Sequence, residues 1–187
     1  MKKTIVAVMV AASAVLSAQA FAAGNSANLT VLGKVTATGE SCNVTPAPLI
    51  AGGSLTLDDI RADKLEAFAL NSPYKELAKD IEYKIEDCQK GAQDYTGNIS
   101  VTVTGDYVSG MNDVLKNLAP NAATSTAVTV VNSVWSRVDL SGVNAAQTVA
   151  YTAGTPSYMR FKAAYVRTGA GVTTGDVKGV ATFTLTY

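Results

Sequence analysis

Apolar and polar residues alternate along much of the chain, which is the pattern of β-strands that bury one face. The alternation is clearest in five segments: 27–37 (ANLTVLGKVTA), 81–88 (IEYKIEDC), 98–105 (NISVTVTG), 159–165 (MRFKAAY) and 177–187 (VKGVATFTLTY). Clusters of glycine, asparagine, serine and threonine separate these segments and suit turns. Many short strands joined by such loops predict an all-β sandwich.

One charged region departs from this alternation. Residues 58–90 hold 15 of the 30 charged residues in the chain. At the start of this region, 57–70 (LDDIRADKLEAFAL) fits a short helix with Ile60, Leu65 and Phe68 facing inward. The rest of the region is predicted to be a solvated, charged surface.

Neighbouring carboxylates in this region offer a catalytic alternative. Asp58 with Asp59, or Glu86 with Asp87, would have to serve as the acid–base pair that a glycoside hydrolase requires. Neighbours in a strand point to opposite faces, so Glu86 and Asp87 cannot easily share a substrate. The chain has no histidine, which excludes a Ser-His-Asp triad, a Cys-His pair and a His-ligated metal. The sequence therefore predicts no enzyme, no cofactor and no metal site.

Residues 1–22 have the features of a secretory signal peptide. Lys2 and Lys3 precede a short apolar run, and small residues in SAQAFAA suit cleavage between about residues 20 and 23. The run is too short to span a bilayer comfortably, and no later segment approaches that length. We expect an exported mature chain of about 165 residues, which forms one domain without inserting into a membrane.

Two cysteines, Cys42 and Cys88, remain in the exported chain. In an oxidising compartment the default for two cysteines is one disulfide. Closing this loop would stabilise the fold by about 4 kcal/mol on the chain-entropy argument. A redox role is the weaker alternative, because catalytic cysteine pairs are usually close together in sequence.

Two further observations concern binding partners. Without Lys2 and Lys3, the 15 basic residues fall to 13 against 15 acidic residues, a net charge near −2. This argues against binding nucleic acid or an anionic membrane by bulk electrostatics. The single tryptophan, Trp135, follows AVTVVNSV and is interpreted as a core or half-buried strand residue, with a sugar-binding surface as the alternative.

Four motifs in order, behind a signal peptide, point to a family. They are LTVLGKV followed closely by SCNV, IEYKIEDC with a cysteine at its end, YMRFKAAYVRTGAGVTTGDV, and GVATFTLTY. In this combination the chain resembles the pilin subunits of the chaperone–usher pathway, the type 1-like fimbrial proteins of Gram-negative bacteria. The likeness covers essentially the whole mature chain.

The resemblance implies an incomplete immunoglobulin-like sandwich that lacks its last strand, formed by residues 39–187. Residues 23–38 would be the N-terminal donor-strand extension. In this family the groove left by the missing strand is filled first by a chaperone strand and then by the extension of the next subunit. Chaperone–pilin complexes are an established example of such strand addition. The implied donor residues are Ala27, Leu29, Val31, Gly33 and Val35, with Gly33 matching the family's central glycine.

The C-terminal segment would border this groove and contact the chaperone. The family has a glycine twelve residues before an aromatic residue near the end, which Gly175 and Tyr187 match, although Tyr187 is one position later than usual. The implied residues are Gly175, Val177, Gly179, Ala181, Phe183, Leu185 and Tyr187. The pair Cys42 and Cys88 also fits the family's disulfide.

The function that this resemblance implies is structural. The chain would be a subunit of a bacterial surface fimbria that polymerises by donor-strand exchange and contributes to adhesion. Its partners would be neighbouring pilin subunits, a periplasmic pilus chaperone and an outer-membrane usher. A minor or adaptor pilin and a receptor-binding adhesin are the alternatives. Because the donor strand would serve another subunit, we expect segment 27–35 to have no partner strand in its own chain.

Overall fold

Two β-sheets packed face to face form the fold. The computed structural model describes residues 27–35, 40–47, 50 and 53–187. The predicted signal peptide lies outside the described residues, as do residues 23–26 and 36–38 of the predicted extension. The elements are β1 (Ala27–Val35), β2 (Glu40–Pro46), β3 (Ser54–Leu57), α1 (Ala62–Glu66), β4 (Pro73–Lys90), β5 (Gln93–Asp94), β6 (Gly97–Thr104), β7 (Tyr107–Val108), β8 (Met111–Leu115), β9 (Thr126–Val131), β10 (Ser141–Tyr151), β11 (Ser157–Arg167) and β12 (Val177–Thr186). The prediction of an all-β sandwich is confirmed.

The strands are divided between a five-stranded sheet A and a seven-stranded sheet B. Sheet A has the order β10-β6-β12-β1-β3. Sheet B has the order β2-β4-β11-β9-β8-β7, and β5 pairs with β4. In sheet A the pairs are antiparallel except for β1 and β12, which run parallel. This parallel pair brings together segments from opposite ends of the described chain.

The inner faces of the sheets form the core, and the predicted alternation identifies their residues correctly. On β4, Ile81, Tyr83 and Ile85 are at most 4% exposed. Burial raises the pKa of the Tyr83 hydroxyl to about 12, so this group is neutral at ordinary pH. The predicted inward residues of the other strands that are buried are Ile99, Val101 and Val103 of β6, Met159, Phe161, Ala163 and Tyr165 of β11, and Val177, Gly179, Ala181, Phe183 and Leu185 of β12.

The predicted helix over 57–70 is shorter than expected, because α1 has only five residues. Ile60 and Leu65 are buried as predicted, but Phe68 is partly buried, with its ring 4.9 Å from that of Tyr74. Pro73 then starts β4, and this long strand takes up the second half of the charged region. Within the described residues, no helix has the length and apolar character that crossing a membrane requires.

Charged side chains of β4 lie on the outer face of sheet B, where they pair across strands. Glu82 bonds Arg160 of β11 at 2.5 Å, and Asp80 pairs with Lys162. These contacts are exposed, and such ion pairs contribute little to stability, typically about 0–1 kcal/mol. The alternation of β4 thus separates a buried apolar face from a hydrated charged face.

The predicted disulfide between Cys42 and Cys88 is confirmed. It joins β2 to β4, which are neighbours in sheet B. Cys88 is 1% exposed and belongs to the core. The bond therefore ties the first strand of sheet B to its longest strand.

Replacing both cysteines by alanine should lower the free energy of unfolding by about 2–5 kcal/mol, because the unfolded chain regains the freedom of the closed loop. Urea denaturation measures this difference. Wild type reduced with dithiothreitol should unfold at about the same urea concentration as the double alanine variant. An unchanged midpoint in both samples would contradict a stabilising role for the bond.

Candidate functional site: the groove occupied by β1

The candidate site is a groove in sheet A between β12 and β3, and β1 of the same chain occupies it. The parallel pairing with β12 runs from Ala27 opposite Val177 to Val35 opposite Leu185. The antiparallel pairing with β3 covers Ala27 to Thr30. Strand β1 therefore joins the two walls of the groove into one continuous sheet.

The expectation that segment 27–35 has no partner in its own chain is wrong in this structure. An empty groove would leave backbone donors and acceptors unpaired on β12 and β3, and it would expose apolar core residues to water. A strand of suitable pattern that is tethered to the same chain is present at high effective concentration. Occupation from within the chain removes both defects without a second molecule.

Leu29 is the β1 side chain whose burial identifies the groove as part of the core. It is 0% exposed, and its neighbour Thr30 is partly exposed. Leu29 lies in register with Gly179 of β12. A Cβ atom on Gly179 would lie 3.0 Å from Leu115 Cδ1 and 3.4 Å from Leu29 Cδ1. Gly179 therefore leaves the space in which leucines from the two sheets meet.

The buried face of β12 provides the rest of this wall. Ala181, Phe183 and Leu185 are at most 2% exposed, and the Phe183 ring lies 5.2 Å from the ring of Phe161 in sheet B. Of the residues predicted for this wall, the structure places Val177, Gly179, Ala181, Phe183 and Leu185 in β12 with buried side chains or, for glycine, a buried backbone. An empty groove would expose this apolar face to water.

Gly175 and Tyr187 lie outside β12. Gly175 has a φ of 153°, and a Cβ there would be 2.7 Å from both Ala123 N and Asn121 O. It therefore permits the close approach of two loops just before the strand begins. Tyr187 is partly buried, with its ring 5.0 Å from that of Tyr95.

Strand β3 forms the far wall, and it was not predicted from the sequence. Leu55 and Leu57 are at most 2% exposed. The sequence signal is the alternation in SLTL, residues 54–57, which is only four residues long and lies between glycines and the charged region. Leu115 of β8, which contacts Gly179, was also missed because a leucine from the other sheet has no local signal for this contact.

Comparison with known proteins identifies the family. Residues 26–187 match the family model described as "Fimbrial protein". The chain belongs to the fimbrial protein family. It is a structural pilus subunit with a pilin fold. Its family is one of structural proteins and not of enzymes. The fimbrium that such subunits form lies at the cell surface. No curated protein matches the chain significantly.

Solved structures with a similar fold include other pilus proteins. The P pilus rod subunit PapA is 24% identical, with a TM-score of 0.59 over 77% of this chain and 98% of that chain. A chaperone–usher pilus studied for rod uncoiling is 24% identical, with a TM-score of 0.57 over 77% and 86%. The Burkholderia pseudomallei antigen and type I fimbria protein is 19% identical, with a TM-score of 0.53 over 88% and 95%. These similarities support the pilin fold.

Trp135 of this pilin lies in a loop after β9, and not in a strand as predicted. Its side chain is half-buried, its φ is 64°, and the Lys75 ammonium lies 5.1 Å from the ring centre. Asn132 Oδ1 accepts hydrogen bonds from the backbone N–H groups of Val134 and Ser136, which flank the tryptophan. The tight turn therefore accounts for its backbone conformation.

The carboxylates considered for catalysis have ordinary surface partners. Asp58 pairs with Lys79 at 2.6 Å, and Glu86 accepts a hydrogen bond from Asn43 at 3.4 Å. Asp59 is exposed. In the part of the chain that the structure describes, no group of three or more acidic, cysteine or histidine residues is arranged to hold a metal ion.

Glu66, at the end of α1, is bound to the end of β11 and to the loop that follows it. Its Oε2 atom accepts a hydrogen bond from Val172 N at 2.8 Å, and its Oε1 atom accepts one from Arg167 Nη2 at 2.6 Å. The hydrogen bond from the Val172 backbone, together with the nearby Arg167 guanidinium, lowers the pKa of Glu66 below its ordinary value. The ionised form is thus preferred in the folded state.

We expect Leu29→Ala to lower the free energy of unfolding by about 2–5 kcal/mol, because it removes a fully buried leucine and leaves a cavity. Thr30→Ala, one position along the same strand, is the matched control and should change the free energy by less than about 0.5 kcal/mol. Urea denaturation of the purified monomer measures both. Equal effects of the two substitutions would show that β1 does not fill the groove in solution.

Acid should weaken the contribution of Glu66 to stability. Because its folded-state pKa is lowered, this contribution is complete above the ordinary value of 4.5 and is lost as the pH falls through the folded-state pKa. Wild type should therefore be more stable than Glu66→Gln at pH 7, and the two should converge in strong acid. Urea midpoints between pH 7 and pH 2 measure the difference, and a constant gap at every pH would contradict the prediction.

Proposed function

We propose that this pilin polymerises by donor-strand exchange, in which β1 of one subunit fills the groove of the next. The observation that supports the proposal most directly is that β1 completes sheet A with no hairpin to either neighbouring strand. Along the chain, β1 is connected to the next described strand, β2, through residues 36–39. The same strand contacts can thus be made by a strand from another copy, as in domain swapping.

The donor residues proposed from sequence keep their positions along β1. Ala27, Leu29, Val31, Gly33 and Val35 alternate with the other residues of the strand. Gly33 lies in register with Phe183, one of the largest buried side chains. A residue without a side chain at this position suits the close approach of a donor strand to a crowded part of the groove.

The link between β1 and β2 limits the distance between subunits. From Val35 to Glu40 there are five peptide steps, which span at most about 18 Å when fully extended. A donor strand in a neighbouring groove would therefore place the two sandwiches against each other. Such short spacing is what a fibre of abutting subunits requires.

Without a factor that keeps the groove available, exchange would be slow, because β1 in its own groove competes with any outside strand. A short tether gives it an effective concentration in the millimolar range. We therefore propose that a periplasmic chaperone supplies a temporary strand and that an outer-membrane usher releases the groove to the next subunit. The subunit would be exported through the periplasm and, once assembled, would contribute to adhesion at the cell surface.

A labelled peptide of residues 24–38 tests the proposal without altering the subunit. We expect the purified chain to take up this peptide and to retain it in a complex that resists SDS, as a slowly released donor strand should. Gel fluorescence measures retention. Over a long incubation, the chain alone should also form an SDS-resistant ladder of multimers.

Two substituted peptides serve as controls. A Leu29→Asp peptide would force a carboxylate into the core, which costs at least about 3 kcal/mol and should reduce retention more than 100-fold. A Thr30→Asp peptide carries the same charge at a partly exposed position and should be retained nearly as well as the unmodified peptide. Equal retention of all three, or of none, would refute the proposal.

A further inference from the structure

Strand β3 depends on β1 for its place in sheet A. It is the edge strand, and it is joined to β12 only through β1. Donor-strand exchange, as proposed above, requires β1 to leave the groove. At that stage the pairing from Ala27 to Thr30 is lost, and sheet A no longer holds the far wall. Another part of the molecule has to keep β3 in position.

The chain that follows β3 is fastened to β11, a strand of the opposite sheet. Tyr165 of β11 is fully buried, and its hydroxyl donates a hydrogen bond to the carbonyl of Asp58 at 3.1 Å. Asp58 is the first residue after the end of β3. This contact crosses the sandwich and does not involve β1.

Arg167, at the end of β11, provides a second attachment. Its Nη1 atom donates hydrogen bonds to the carbonyls of Glu66 at 2.5 Å and Phe68 at 3.2 Å, and its Nη2 atom bonds the Glu66 carboxylate. Its Nε atom donates to Gly169 O at 2.9 Å, and its own carbonyl accepts from Asn71 N. The side chain is 17% exposed, so these contacts are shielded from solvent.

Apolar contacts connect the two attachments. Ile60 and Leu65 lie between Asp58 and Phe68 in sequence, and both are buried in the same core as Leu55 and Leu57 of β3. The segment from β3 to the end of α1 is therefore packed as one unit that is bonded to β11 at Asp58 and Glu66. Fixing Asp58 and Glu66 limits where β3 can go.

We propose that Tyr165 and Arg167 are positioning residues that hold β3 at the far wall while the groove exchanges one strand for another. The inference rests on the proposed function. With both anchors in place, β12 and β3 would already be separated by the width of one strand when an incoming strand arrives. Without them, it would also have to order β3 and the segment that follows, at a cost in chain entropy.

Hydrogen–deuterium exchange of the full chain tests the anchor. Arg167→Met keeps the apolar stem and removes the guanidinium, and we expect amides of 54–57 to exchange at least tenfold faster while those of β6 and β9 are unchanged. Tyr165→Phe removes one hydroxyl and should give a smaller change in the same residues. Arg160→Met, which removes an exposed ion pair from the same strand, is the matched control and should leave β3 unchanged.

Retention of the labelled 24–38 peptide separates the anchor from the proposed function. The Arg167→Met chain should release bound peptide at least tenfold faster than wild type, and the Arg160→Met chain should release it at the wild-type rate. Suppose that wild type retains the peptide, but that Arg167→Met does not speed amide exchange in β3 more than in β6 and β9. This result would overturn the anchor and leave donor-strand exchange standing. Suppose instead that Arg167→Met speeds amide exchange in β3 selectively, but that wild type takes up no peptide. This result would overturn donor-strand exchange, and with it the role of the anchor in that process.

Discussion

The structure depends on a gap one strand wide between β12 and β3. On both sides of the gap lie backbone groups that need hydrogen-bond partners, and beneath it lie apolar side chains that belong to the core, including Phe183 and Leu55. A buried, unpaired backbone group costs about as much as a lost hydrogen bond, and the cost is repeated along each edge. The gap therefore has to be filled, and in this structure β1 fills it.

The groove requires a strand with a suitable pattern of residues, and this requirement does not depend on the chain to which the strand belongs. Its requirements are extended backbone with free donors and acceptors, and a buried leucine where Gly179 leaves space. A segment of the same chain meets these requirements, and so would the same segment of another copy. Under the donor-strand exchange proposed above, one sequence would form either a closed monomer or a fibre. The balance between the two would depend on the tether of β1 and on which strand reaches the groove first.

Sequence patterns predicted most of the core and one wall of the groove. The period-two alternation in β4, β6 and β12 identified their buried residues, because only one face of each strand is fully buried. In β11 it identified one face only, because Ala164 and Val166 on the other face are buried as well. The far wall was missed because β3 has only four residues, and the predicted helix was too long because its apolar spacing continued past the last helical residue. Trp135 was assigned to a strand because an apolar run precedes it, but the Asn132 side chain closes a turn there.

By itself, the sequence determined five of the segments that form strands, an apolar buried face for each, and the family to which the chain belongs. It also contained the cysteine pair and the apolar segment suited to a groove. Only the tertiary structure decided that β1 lies parallel to β12, that β3 is its second neighbour, and that side chains of β11 hydrogen-bond to the segment after β3. Alternation specifies a buried face, but the partner of a strand is chosen by contacts between residues far apart in the chain.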